Sequence, residues 1–161
     1  ESADGRLLDT FCKGTDPGIS GEAVRRAAGL GIRTYCYFLF GLPGEDAQSR
    51  IETVDFIERH AAEIDYANIS VFNMPVNCEL AERAGECGIR PAHRLSGGDR
   101  IRLYLPFTTS GESPRHEVRR FMSEARASNP GLRSILTRTP RWFRAAHLAM
   151  LEIDGRRDVL G

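Results

Sequence analysis

The run Thr34-Tyr-Cys-Tyr-Phe-Leu-Phe-Gly-Leu-Pro-Gly-Glu45 constrains the fold more than any other part of the chain. From Thr34 to Phe40 every residue is β-branched, aromatic or apolar, and none is charged. Such a run is far too short to span a bilayer and is bounded by turn residues. It therefore reads as a strand buried on both faces. Gly41, Pro43 and Gly44 then force a sharp turn. Glu45 and Asp46 open a helical pattern, where carboxylates interact favourably with the helix dipole. A buried parallel strand that ends in a glycine-rich turn before a helix is where α/β proteins place ligands. The same glycines also suit a plain strand-to-helix turn.

Periodicity on either side extends this into an α/β pattern. Residues Asp4 to Phe11 form a predicted short helix with Leu7, Leu8 and Phe11 on one side, ended at Lys13-Gly14. Ser20 is the predicted N-cap of a helix running to about Leu30, with Val24, Ala27, Ala28 and Gly31 on one narrow face. The next helix spans about Ala47 to Ala62. Its inward stripe is Ile51, Val54, Ile57, Ala61 and Ile64, with Phe56 on the flank; Arg50, Glu52, Glu58 and Arg59 fall on the solvent side. Ala67 to Phe72 is a second buried strand, Met74-Pro75 ends it, and a helix follows from about Cys78 to Ala84. Alternating helices and strands with short connections imply right-handed crossovers and a parallel sheet. A barrel and an open doubly wound sheet both satisfy that order.

Beyond Ile89 the character changes, which divides the chain into residues 1–90 and 91–161. Pro91 to Asp99 is a polar linker. Ile101 to Phe107 is an edge strand or extended arm broken by Pro106. Helices are expected over Glu117–Ala127, with Val118, Phe121, Met122 and Ala125 inward, and over Pro130–Thr137. A last one starts at Pro140 and carries Trp142, Phe143, Ala146 and Met150.

Composition excludes some functions. The 161 residues carry 22 basic and 22 acidic side chains, so nothing draws the chain toward nucleic acid or an anionic membrane. The Arg-rich stretch Arg115–Arg144 reads as solvated surface. Cys12, Cys36, Cys78 and Cys87 match no zinc or iron–sulfur spacing. Cys36 lies within the first strand as a core residue. His60, His93, His116 and His147 are scattered. With no membrane-length apolar run and no secretory signal, a cytoplasmic protein with reduced thiols is expected. The chain opens on Glu1 rather than Met, which reads as a piece of a longer protein.

Glu1-Ser2, Lys13-Gly14, Gly31-Ile32, Gly41-Leu-Pro-Gly-Glu45, Glu52-Thr53 and the stretch Pro75 to Gly85 occur in one order and spacing. Over residues 1 to 88 this set resembles the second half of a radical S-adenosylmethionine (SAM) domain. The branch it is most similar to often carries an N-terminal cobalamin-binding domain. The resemblance implies half of a partial (β/α)6 barrel, with Glu1-Ser2 just after the fourth strand, Thr34–Phe40 as the fifth and Ala67–Phe72 as the sixth. A mainly helical C-terminal extension would follow. It implies a parent enzyme that uses SAM and a 4Fe–4S cluster to start radical chemistry, with cobalamin as a possible further cofactor. The implied SAM contacts are Glu1, Ser2, Gly41, Pro43, Gly44 and Glu45, with Phe38 or Phe40 beside the adenine. Asn73 and Asn77 fall on the implied substrate rim.

This sequence departs from the family pattern in several places. The cluster-binding C-x-x-x-C-x-x-C is absent, so no metal site is expected in this chain and the fragment alone should be inactive. Ala3-Asp4 stands where a Gly and a small polar residue are usual, Glu45-Asp46 replaces Glu-Thr, and Asn77-Cys78 stands near the usual Gly-Thr. A half barrel leaves open sheet edges. Homodimerisation, a swapped strand or cover from the C-terminal helices would close them. The competing reading is a non-enzymatic α/β module with a structural turn and an Arg-rich tail that binds a partner. Neither the substrate nor the reaction subtype follows from the sequence.

Overall fold

The computed structural model describes residues 1–75, 78–85, 89–91, 104–105, 107–109 and 115–140. The expected helix after Pro140 lies outside them, as do Asn77, Cys87, His93 and most of the expected linker. The described residues form a mixed helix and strand fold with a small parallel sheet.

The first helix, α1 (Gly5–Thr10), starts where Asp4 accepts hydrogen bonds from the Arg6 and Leu7 amides. Helix α2 (Pro17–Gly29) starts three residues before the predicted Ser20 cap. Asp16 accepts from the Ile19 amide at 2.9 Å, and Pro17 occupies the first turn, where its missing N–H costs nothing. Helix α3 (Ala47–Arg59) begins at a reciprocal cap, in which Asp46 and Ser49 bond each other's backbone amides.

Strands β1 (Tyr35–Phe40) and β2 (Tyr66–Val71) pair in parallel, with Tyr35 opposite Tyr66 and Phe40 opposite Val71. Helix α3 makes the crossover between them. Helices α5 (Arg115–Ser128) and α6 (Pro130–Arg138) pack on the same side as α3. The core therefore lies on one face of the pair. Phe38 is 4 % exposed and packs on Phe56, while Phe40 is 1 % exposed and packs on Phe121. The other face carries Tyr35, Tyr37 and Leu39, and Tyr37 is 56 % exposed. Burial on both faces, expected from the apolar run, thus holds fully for one face only; on the other, Tyr35 and Leu39 are half-buried and Tyr37 is exposed.

Helix α3 also departs from expectation. Its buried side includes Ser49, Arg50 and Thr53, whereas Ile51 is 44 % exposed. Polar residues can face inward here because partners meet them. Thr53 Oγ1 accepts from the Ala3 amide at 3.0 Å and Ser49 Oγ donates to Asp4 at 2.6 Å. Glu58 is not merely solvated either. Its carboxylate accepts from the Gly131 and Leu132 amides at 3.2 and 2.6 Å, capping α6 from a neighbouring helix.

A second, smaller core surrounds Met74, Ala84 and Ile89. Here β3 (Met74–Pro75) pairs antiparallel with β5 (Tyr104–Leu105), and β4 (Ile89–Pro91) with β6 (Phe107–Thr109). The short helix α4 (Glu79–Glu82) lies between β3 and β4 in sequence. Residues on both sides of position 90 share this core. Farther on, Thr139 Oγ1 accepts from the Ala67 amide at 3.0 Å. Arg138 donates to the Ala61 and Asp65 carbonyls at 2.7 and 2.8 Å, and also to the Ile64 carbonyl. The end of α6 thus satisfies backbone groups at the start of β2.

Candidate functional site

The turn after β1 is built by glycine conformation and a buried carboxylate. Gly41 and Gly44 have φ of 76° and 80°, a region that disfavours side chains. Glu45, 3 % exposed, accepts the Gly41 amide at 2.7 Å and lies 3.5 Å from the Arg50 guanidinium. Arg50, 7 % exposed, lies over the Phe121 ring of α5, 5.5 Å from its centre. On the outer side Arg6 donates to the Gly44 carbonyl at 3.0 Å while its other terminal nitrogen pairs with Asp4 at 2.9 Å.

Glu1 lies beside the same strand end. Its carbonyl accepts the Leu39 amide at 2.7 Å, on the edge of β1 away from β2. Its carboxylate pairs with Lys13 at 2.7 Å. Between these groups is a cleft of about 300 Å³, at the small end of the range for small-molecule sites. Leu39, Leu42, Phe72 and Leu80 give it an apolar floor. The Glu1–Lys13 pair stands on one wall and a Glu79–Arg83 pair, 3.3 Å apart, on the other. An apolar floor between charged walls suits a small amphiphilic molecule with both signs of charge.

Of the residues singled out in the sequence, Glu1 faces the cleft. Ser2 turns to Thr53 and the Asp4 amide instead. Gly41 is backed by Val71 and Val118, and Gly44 is exposed against Arg6. Pro43 and Glu45 are buried. Glu45 spends its carboxylate on the turn itself. Alternation along β1 sends Phe38 and Phe40 to the helix-covered core and Leu39 to the cleft. Asn73 is exposed, donating to the Val71 carbonyl and accepting from Arg115 at 2.8 Å. Asn77 falls outside the described residues.

Leu39, Phe72 and Arg83 line the cleft without having been singled out, and their one sequence signal is position: each lies within a few residues of a strand end or a helix end. Lys13 and Leu42 also line it, and the sequence marked them only as members of the Lys13-Gly14 and Gly41–Glu45 motifs. Cys12 and Cys78 also line it; Cys12 has a φ of 51°, and the Cys78 thiol donates to the Pro75 carbonyl at 3.1 Å. The Cys36 thiol is pushed up from its ordinary pKa, chiefly by burial.

Among the described residues no three or more His, Cys, Asp or Glu side chains are placed to hold a metal ion. Among them, too, no helix is long and apolar enough to cross a membrane. Neither a protein-family model nor a curated protein matches the chain.

Proposed function

We propose that residues 1–90 are the second half of a radical SAM barrel, with the rest of the chain a C-terminal extension, and that the cleft takes part of SAM. The observation that carries this reading is the Glu1 carbonyl bonded to the Leu39 amide. In this reading the bond marks the side of β1 where a neighbouring barrel strand would end. Glu1, the Gly41 turn and the Phe72 end of β2 then lie together at the carboxyl ends of parallel strands, where barrel enzymes bind their ligands. Helices on one face and tyrosines on the other also suit a barrel sector, with helices outside and the bare face inward. Parallel sheets are normally covered on both faces.

In this reading Lys13 and Glu1 hold the carboxylate and ammonium of the methionyl end through charge-assisted hydrogen bonds. Leu39, Leu42 and Phe72 pack on the nucleoside and keep water from it. Any radical chemistry would be supplied by SAM and a 4Fe–4S cluster held elsewhere in the parent, and this chain would contribute binding, orientation and exclusion of water. The described residues do not fit the cluster: Cys36 lies in the core, whereas Cys12 and Cys78 line the cleft, and no third ligand joins them. No step through the cluster is therefore assigned to this chain, and cobalamin and the reaction subtype stay unassigned.

Sequencing the coding region upstream of Glu1 tests the reading. A C-x-x-x-C-x-x-C about half a barrel earlier supports it, and a parent without that motif sinks it. A biochemical check is anaerobic reconstitution of the 161-residue chain, which should bind no stoichiometric iron and sulfide.

A further inference from the structure

The buried Glu45–Arg50 pair does not line the cleft, yet Glu45 accepts the amide of Gly41, the residue before Leu42 of the cleft floor. We infer that α5 positions the cleft floor, holding the end of β1 through Arg50 and Glu45 and the end of β2 through Arg115. This rests on the cleft being the ligand site proposed above.

At the β1 end, Phe121 of α5 lies against the Arg50 guanidinium, and Arg50 lies beside the carboxylate that accepts the Gly41 amide. Phe121 also packs on Phe40, and the Val118 methyls approach within 3.5 Å of the place where a Gly41 Cβ would stand. The next residue, Leu42, is part of the cleft floor. At the β2 end, Arg115 in the first turn of α5 donates to the Phe72 carbonyl and to Asn73 Oδ1, both at 2.8 Å. Phe72 is the opposite part of the same floor. One helix thus grips both strand ends that carry the floor. A buried ion pair adds little net stability, since desolvation offsets its attraction. What Glu45 and Arg50 contribute is geometry: a rigid link from a ring on α5 to a backbone amide in the turn.

The test is hydrogen exchange of the Gly41 amide, read by NMR on the full chain beside amides in α2. Phe121→Leu keeps an apolar side chain but removes the ring over Arg50. Arg115→Met removes an exposed side chain that touches neither Gly41 nor Glu45. Both variants should speed exchange at Gly41 at least about threefold relative to α2, as expected for members of one coupled network. Phe121→Tyr, which keeps a ring over Arg50, should restore the wild-type rate. Unchanged Gly41 exchange in both variants overturns the inference. So does faster exchange spread equally over α2, which is general destabilisation. Adding SAM separates this from the functional reading: no shift of the Leu39 and Leu42 resonances counts against SAM at the cleft, while the Gly41 rates still decide the role of α5.

Discussion

The two faces of the β1–β2 pair come from the same twelve residues, six in each strand, but behave as different surfaces. The face with Phe38, Phe40 and Ala67 is packed under α3, α5 and α6. The face with Tyr35 and Tyr37 carries two tyrosines in edge-on contact, 4.8 Å apart; Tyr35 is half-buried and Tyr37 is exposed to solvent. The contrast teaches that an unbroken aromatic run does not by itself mean double burial. Tyrosine joins an apolar ring to a polar tip, so it serves on a wet face as well as in a core.

Alanine substitution should break the symmetry of the run most sharply. Phe40→Ala removes a fully buried ring at the junction of β1 and α5, and should cost about 3–5 kcal/mol by urea denaturation. Tyr37→Ala, three residues away on the open face, should fall within about 0.5 kcal/mol of the parent, as exposed substitutions do. Equal losses would mean that the open face is covered in solution.

The seat of α6 on the covered side gives the next largest effect. A Cβ at Gly131 would stand 2.7 Å from the Ala61 Cβ and 2.9 Å from the Glu58 carboxylate. Ala61 is anchored by its own backbone and cannot swing aside, so Gly131→Ala should cost about 1–3 kcal/mol by overpacking. Gly29 lies in the exposed last turn of α2, and nothing stands within 4 Å of the place a methyl group would take there. Gly29→Ala should instead gain a few tenths to about 1 kcal/mol from helix propensity. Two glycine-to-alanine changes of opposite sign would separate a packed helix position from an open one.

Much of this contrast could not be read from the chain. The elements themselves were legible: β1, β2, α3 and α5 announce themselves through apolar period and capping residues. Even there the start of α2 hid in plain view, because Asp16-Pro17 is a better start than Ser20. The rotation of α3 was not legible. Arg50 and Thr53 face inward because Glu45, Phe121 and Ala3 meet them; Glu45 is local, but Phe121 and Ala3 come from distant segments. Which face of β1 meets the cleft was illegible too, since Phe38, Leu39 and Phe40 are all apolar and only the position of α5 decides. The cleft draws Glu1, Lys13, Leu39, Phe72 and Arg83 from separate segments, so no local motif encodes it.

Thiol chemistry sharpens the comparison more gently. Cys12 is exposed at the cleft, whereas Cys36 is half-buried against the core, with burial holding its thiol protonated. Because the thiolate is the reactive form, iodoacetamide at mildly alkaline pH should label Cys12 well before Cys36. Mass-mapped peptides give the order. Early labelling at Cys36 would show that the helix-covered face opens readily.

The smallest expected effect lies at the exposed start of α3, where the turn passes into the helix. The Asp46 carboxyl is held below its ordinary value, first by the Ser49 backbone amide and then by the Ser49 hydroxyl, with Arg6 3.8 Å away. A carboxyl depressed in the folded state binds protons more weakly there than in the unfolded chain. Its contribution is therefore complete above the ordinary aspartate value and is lost as pH falls through the folded one. Asp46→Asn keeps an N-capping side chain but removes the charge. Urea midpoints of parent and variant should differ slightly near neutral pH, with the parent the more stable, and the gap should close as pH falls below the ordinary aspartate range. A gap that persists unchanged into acid would assign the cap's contribution to shape and hydrogen bonding rather than to charge.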